Sequence, residues 1–439
     1  MPDNQHSFII PDDQKIPALI ALFQENFTAR ELPDSVYHRV LYDTFDWRLY
    51  KNGSSLEVHD DGRSHRIYWR ADKDGEFKIQ LGLRKVPHLA ADLPDGEFRR
   101  QLQSVISVRE LLPRIKLRIK RQSLAVLDKS EKIVVRLNFD TYWYSPSKLC
   151  ADRVLTKRLT IKGVKGYAKD YQRVETFLKD LPIRLQSAQD NVMKLALITT
   201  GVSPDEYTTR LNLRLDPDMS AEQAFKEILL LLLEVMQKNS AGTIKGRDTE
   251  YMHDYRVAIR KIRVALKQLN QLYPKTVSAE FKKLFSRLGE LTTPVRDLDI
   301  LLYQMPGYQQ DFEAPEWQQL QPLREYLAQS RAEAQKKFVE ELKSLQYRDK
   351  MKQFRDYLVK PEAENTEAAS TGKAVFKLAD EFLWDINKQT LQQGKAVAKS
   401  SDTEQLHDLR KTFKKLRYLT EFFRSLYPAV TLRSLLESL

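Results

Sequence analysis

The sequence predicts an α+β protein of several domains: an antiparallel β-barrel or tunnel over residues 1–205, then an all-α region of two pseudo-symmetric helical bundles over residues 218–439. Three observations predict it. Segments before about residue 205 alternate apolar and polar residues with a period of two, the mark of strands with one apolar face. Segments after about residue 210 carry the spacing of amphipathic helices. Within that second region one stretch recurs: Asp248-Thr249-Glu250-x-x-His253-Asp254-x-Arg256 returns as Asp402-Thr403-Glu404-x-x-His407-Asp408-x-Arg410, at an offset of 154 residues. The match continues without a gap through Lys261/Lys415, Arg263/Arg417 and Leu272-Tyr273-Pro274/Leu426-Tyr427-Pro428. Such a duplication predicts pseudo-twofold symmetry, with two copies of one helix able to face each other.

In the front region the alternating segments are Arg66-Ile-Tyr-Trp-Arg70, Phe77 to Arg84, Arg114-Ile-Lys-Leu-Arg-Ile-Lys120 and Arg158-Leu-Thr-Ile-Lys162. Across residues 101–200 there are 20 basic and 9 acidic residues. An antiparallel sheet ordinarily leaves its polar face wet. Closed into a barrel, these strands would instead give a cationic lumen suited to a phosphate-rich ligand. The candidate phosphate-binding residues there are Lys78, Arg84, Lys116, Arg118 and Lys120.

The helical region opens at Ser220-x-x-Gln223, a capping-box pattern. Residues 218–358 read as a first bundle, 361–371 (PEAENTEAAST) as a linker and 372–439 as a second, incomplete bundle. Each bundle is expected to start with an amphipathic helix, near 221–239 and 374–394, followed by a cationic one. The second copy stops opposite Phe285 and so has no counterpart of Arg296-Asp297-x-Asp299, which reads as a helix-to-helix polar network. On a wheel of about 100° per residue, His253, Arg256, Arg260, Arg263 and Lys267 share an arc of about 80°. Ile259, Ile262, Leu266 and Leu269 lie opposite. The second copy repeats the row as His407, Arg410, Lys414 and Arg417, with Phe413, Leu416 and Phe423 expected behind it. No carboxylate is expected at i+4 within the rows to neutralise them, and like charges three and four residues apart repel. With Lys261 and Lys415 these are the candidate polyanion ligands; a merely solvated charged face is the plain alternative. Metal binding by the two histidines is disfavoured, because metal sites gather neutral or anionic ligands rather than arginines.

Composition bounds the partners. The 439 residues carry 72 basic and 60 acidic side chains, a net charge of +12, which favours anionic ligands without identifying them. One cysteine, Cys150, fits a reducing compartment. The start lacks the shape of a signal peptide. The longest aliphatic run, Ile228 to Leu233, is too short to span a bilayer. A soluble, cytoplasmic protein with no membrane partner is expected.

Two resemblances extend this reading. His253-Asp-x-Arg-Val-Ala-x-Arg-Lys-x-Arg263, with Pro294-Val-Arg-Asp-Leu-Asp299 downstream, resembles the CHAD domain family from about residue 218 onward. The resemblance implies two related four-helix bundles and binding of inorganic polyphosphate along a basic groove, and with it a place at polyphosphate granules. Lysine at 414, where the family often has arginine, would weaken bidentate phosphate contacts. The front region resembles the CYTH, or triphosphate tunnel, family through Tyr42-Asp43-Thr44-Phe45-Asp46-x-x-Leu49-Tyr50-x-x-Gly53-x-Ser55-Leu56. That family's first strand reads Glu-x-Glu-x-Lys, its carboxylates holding a divalent metal. Here the stretch reads Asp3-Asn4-Gln5-His6-Ser7-Phe8. Glu57-Val58-His59 stands where the family has Arg-x-Arg, and Arg158, Thr160 and Lys162 stand where it alternates glutamates. Those departures argue against an enzyme, and no catalytic residue, metal ligand or cofactor is assigned. Two alternatives stay open: a triphosphatase using Mg²⁺ or Mn²⁺ with Asp3, Glu57 and Asp140 as surrogate acids, and a nucleic-acid-binding protein.

Overall fold

This computed structural model describes residues 5–71, 77–146, 150–181, 186–187, 192–204, 207–208, 211–268, 275–360, 373–398, 402–428, 430 and 432. The expected linker at 361–371 lies outside them. The chain forms two compact units, Met1–Tyr207 and Thr208–Leu439.

The first unit is built on strands β1 (Gln5–Ile10), β2 (Ala29–Asp43), β3 (Ser54–Asp60), β4 (His65–Ala71), β5 (Phe77–Leu83), β6 (Leu112–Leu127), β7 (Ile133–Tyr144), β8 (Arg153–Gly163) and β9 (Gln186–Ser187). They pair antiparallel in the order β5-β4-β3-β2-β6-β7-β8-β1-β9. The sheet is strongly curved. Gln5 of β1 and Arg66 and Tyr68 of β4 line one cavity, although five strands stand between them in the sheet order. Helices α1 (Ile16–Asn26) and α4 (Ala168–Asp180) cover Leu124, Leu137, Phe139 and Ile161 on the outer face. Helix α3 (Glu97–Ile106) covers Leu56, Val58, Ile67 and Trp69 there. On the inner face α5 (Val192–Thr200) lays Val192, Met193 and Ala196 against Leu41, Ile115, Leu117 and Ile119. The Tyr42 to Leu56 motif is a turn held by one carboxylate. Asp43 accepts from the backbone N–H groups of Thr44, Leu49 and Tyr50 at 2.7–3.0 Å, closing β2 onto the short helix α2 (Arg48–Lys51). Gly53, at φ 63°, then turns the chain into β3.

The second unit contains α6 (Ala221–Lys245), α7 (Thr249–Gln268), α8 (Lys275–Gln304), α9 (Ala314–Gln319), α10 (Gln321–Lys343), α11 (Leu345–Val359), α12 (Val375–Val397) and α13 (Thr403–Phe422). The cap expected at Ser220 is present: its hydroxyl accepts from the Gln223 N–H at 3.1 Å. Asp248 and Asp402 each accept from the N–H two residues on, Glu250 and Glu404, at 2.9 and 2.8 Å. The duplication is therefore visible in the caps as well as in the helix bounds. Gly242 lets α7 approach α6, since a Cβ there would stand 2.3 Å from the Tyr251 ring.

The pseudo-twofold axis can be placed. Ala221 N–H donates to Lys373 O at 3.0 Å, and Val375 N–H donates to Met219 O at 2.9 Å. The repeat equates 221 with 375 and 219 with 373, so the two bonds are one bond and its symmetry mate, as in an isologous interface. Both bundles share one core, in which Phe225 of α6 touches Phe382 and Phe423 with ring centroids 6.3 and 5.9 Å apart. Symmetry fails on the outer side. Phe413, expected in the packing face, is 37% exposed and Leu406 55%, whereas Ile259 and Met252 at the same positions of the first copy are 1% and 2% exposed. In the first copy α8 packs on α7 and α10 packs on α8. After α13 the last element described is the 3-10 turn Arg424–Leu426.

Candidate anion-binding surfaces

Helices α7 and α13 pack against each other, and their cationic rows meet at the seam. Arg260 Nε donates to the Tyr418 hydroxyl across it at 3.3 Å. Burial holds Lys414 below its ordinary value, and the charges of Arg410 and Arg260 add to that effect, so one row acts on the other. Lys415 is lowered by burial and by Lys267. Arg256 is lowered by burial and by Arg260 and Arg296, against the opposing pull of Asp297. Ile259, Ile262 and Leu266 are buried behind the α7 row, as the wheel expects; Leu269 lies outside the described residues.

The two rows differ in how firmly they are held. On α7, Arg256 donates through Nη1 to the hydroxyls of Thr292 and Thr293 on α8 at 3.1 and 3.0 Å, while its buried Nε has no hydrogen-bond partner among the described residues. Arg263 lies over Gly289, where a Cβ would stand 3.1 Å from its Nη1. His253 is half-buried, and burial and Arg296 disfavour its charged form, opposed by Glu250 and Asp254. On α13, His407, Arg410, Lys414 and Arg417 are all exposed. Two expectations change here. Lys261 is 5% exposed and its Nζ lies 2.7 Å from Glu421, so it joins the helices rather than lining their surface. The same Glu421 accepts from Arg417 Nε at 3.3 Å, so the second row does contain an i+4 carboxylate. The pair that sequence reasoning missed is Thr292-Thr293 on α8, whose hydroxyls carry no charge signal. Arg296 and Asp299 form the expected helix-to-helix network, through Glu250 at 3.8 Å and Arg331 at 2.9 Å.

In the first unit three of the expected lumen cations, Lys116, Arg118 and Lys120, are not in the lumen. Register sets Arg121 opposite Ser35 and Asp140 and Ile119 opposite Tyr37 and Tyr142, on the face that holds the cavity. Lys116, Arg118 and Lys120 alternate with these and therefore point outward. Arg118 pairs with Asp152 at 2.9 Å and stacks on Trp143, Lys120 pairs with Asp34 at 3.1 Å, and Lys116 is exposed. The reason is that α5 buries the aliphatic side of β6 on the inner face, which forces the basic side out. Arg84 is exposed beyond the end of β5, and the Lys78 side chain lies outside the described residues. The cavity, about 550 Å³, is lined instead by Tyr37, His59, Arg66, Tyr68 and Arg121 with Gln5 and Asp61. A Tyr-x-Arg and an Arg-x-Tyr alternation on β2 and β4 was the available signal.

The tunnel resemblance implies a divalent metal, and the residues do not fit one. Glu57 is 1% exposed and accepts from both Nε and Nη2 of Arg39. Burial raises its pKa, but Arg39 and His59 outweigh that and hold the carboxyl at about 2. Asp140 accepts from Arg121 Nε and Nη2, both at 2.7 Å. Each acid is thus held by its own guanidinium, and among the described residues no three metal-ligating side chains come together. Asp3, the third acid considered, lies outside them. No helix among the described residues is long and apolar enough to cross a membrane.

Residues 227–439 match the family model of the CHAD domain. No curated protein matches the chain. Among solved structures it is similar to the CHAD domain of the plant Ricinus communis, at 25% identity and a TM-score of 0.44, over 53% of this chain and 75% of that one. It is also similar to a candidate adenylate cyclase of Bacillus halodurans, at 14% identity and a TM-score of 0.31, over 44% of this chain and 96% of that one. A candidate adenylyl cyclase of Hippeastrum, described with a dominant triphosphatase activity, gives 14% and 0.31 over 46% and 99%.

Proposed function

Residues 227–439 of this chain are a CHAD domain, and from that premise we propose that the protein binds inorganic polyphosphate, without chemistry, along the seam of α7 and α13. The observation that carries the reading is the Arg260–Tyr418 contact, which sets one cationic row beside its repeat. Cations along each helix recur about every 5 Å, near the helical pitch. A flexible phosphate chain touches several at once and releases counterions as it does so. Arginine supplies forked contacts and lysine point charges. Binding is then salt-sensitive and stronger for longer chains. Exposed aromatics for base stacking play no part, so single-stranded RNA competes poorly.

The test is titration with long-chain polyphosphate, with and without Mg²⁺, following binding and phosphate release together. The comparison protein carries Arg256, Arg260, Arg410 and Arg417 changed to alanine. Tight binding without release, lost in the variant, supports the reading. Release that needs Mg²⁺ and survives the substitutions assigns the function to the first unit instead. Equal competition by single-stranded RNA makes the seam a general nucleic-acid surface.

A further inference from the structure

Resting on that reading, we propose that Lys267 and Lys415 form a phosphate seat at the place where the pseudo-twofold symmetry is broken. The repeat equates Lys261 with Lys415 and Lys267 with Glu421. On one side of the axis Lys261 of α7 pairs with Glu421 of α13 at 2.7 Å. The symmetry operation carries that ion pair onto Lys415 of α13 and Lys267 of α7. Two cations therefore stand where the sister position has an attraction.

That the helices obey the operation is supported twice. The reciprocal bonds at 219–221 and 373–375 are one another's mates. Arg260 and Lys414, which the repeat also equates, are close enough for one charge to act on the other. Lys415 is half-buried, Lys267 is exposed, and neither has an ion-pair partner among the described residues. The charge of Lys267 also acts on Lys415 and on Lys282 of α8, lowering both beyond what burial does.

The fold thus closes one of two equivalent contacts with its own carboxylate and leaves the other to an anion from solution. A phosphoryl group suits it, because its oxygens point several ways and two ammonium groups approach it as point charges from different helices. Inorganic polyphosphate meets this requirement at any internal residue of its chain. Binding there supplies the missing half of the helix–helix contact, so the ligand draws α13 onto α7.

Lys267→Glu recreates the sister ion pair and gives the test. Without ligand its Tm is expected to rise by about 2–4 °C. Its affinity for tripolyphosphate and for long-chain polyphosphate falls about tenfold, a change of about 1.4 kcal/mol. Lys388→Glu, the same charge change on the exposed side of α12, leaves both quantities near wild type. Lys415→Met, which removes the repulsion without adding an acid, also weakens binding and does not lower Tm. If Lys267→Glu binds like wild type, or melts earlier, the seat is wrong although polyphosphate still binds. A wild-type protein that binds no polyphosphate overturns the functional reading and the ligand of this seat together.

Discussion

Replacing Glu57 by glutamine tests whether the first unit has committed its acids to arginine. Glu57 is 1% exposed and faces Arg39 at 3.1 Å from Nε, with His59 Nε2 at 3.6 Å. Unit charges about 3 Å apart attract by about 5 kcal/mol at an effective dielectric near 20, before desolvation is subtracted. Removing one partner of a buried pair costs about 3–5 kcal/mol. Glutamine keeps the shape and can still accept one hydrogen bond, so the loss expected at pH 7 is about 3 kcal/mol. Urea unfolding followed by tryptophan emission reads it, since Trp47, Trp69 and Trp143, three of five tryptophans, lie in this unit. The pH dependence has a definite sign. A carboxyl held at about 2, below its ordinary 4.5, contributes stability above about 4.5 and loses it as pH falls toward 2. Wild type and Glu57→Gln should therefore converge across that window. A difference below about 0.5 kcal/mol at pH 7, or one that does not shrink with acid, refutes the reasoning.

Two further predictions concern the second unit. Gly242→Ala forces a methyl to 2.3 Å from the Tyr251 ring; overpacking of about 1–3 kcal/mol outweighs the helix preference of alanine, about 1 kcal/mol, so the thermal midpoint falls, and an unchanged midpoint would show that α7 shifts freely. His253 is held toward its neutral form by burial and Arg296, with Arg260 adding and Glu250 and Asp254 opposing. A bound anion reverses this balance, so polyphosphate binding takes up a proton and tightens as pH falls from about 8 to 6. Without ligand the same lowered pKa means stability falls as pH drops below about 6.5. Calorimetry in two buffers of different ionisation heat measures the uptake; His253→Gln should reduce it, and equal uptake in both proteins removes His253 from the site.

Local signals were the legible ones. Ser220 capping and the split of α7 into cationic and apolar sides depend on neighbours within four residues. What depended on distant partners was not legible. Lys261 reads as one more cation of the row until Glu421, from the other repeat, is set beside it. Phe413 follows the helical period but lacks the cover that α8 and α10 give the first bundle. Alternation in β6 correctly gives two faces, yet a period of two cannot say which is inside. That was decided by α5, which seats its apolar side on Leu117 and Ile119 and turns Lys116, Arg118 and Lys120 outward.

The paired bonds between residues 219–221 and 373–375 run from main chain to main chain. They ask nothing of the side chains, so the two halves were free to diverge in sequence while keeping their mutual orientation. About this seam the two helix pairs meet as the two sides of an isologous interface do, and because both sides belong to one chain they need not be identical: position 421 holds an acid while its repeat equivalent, 267, holds a lysine.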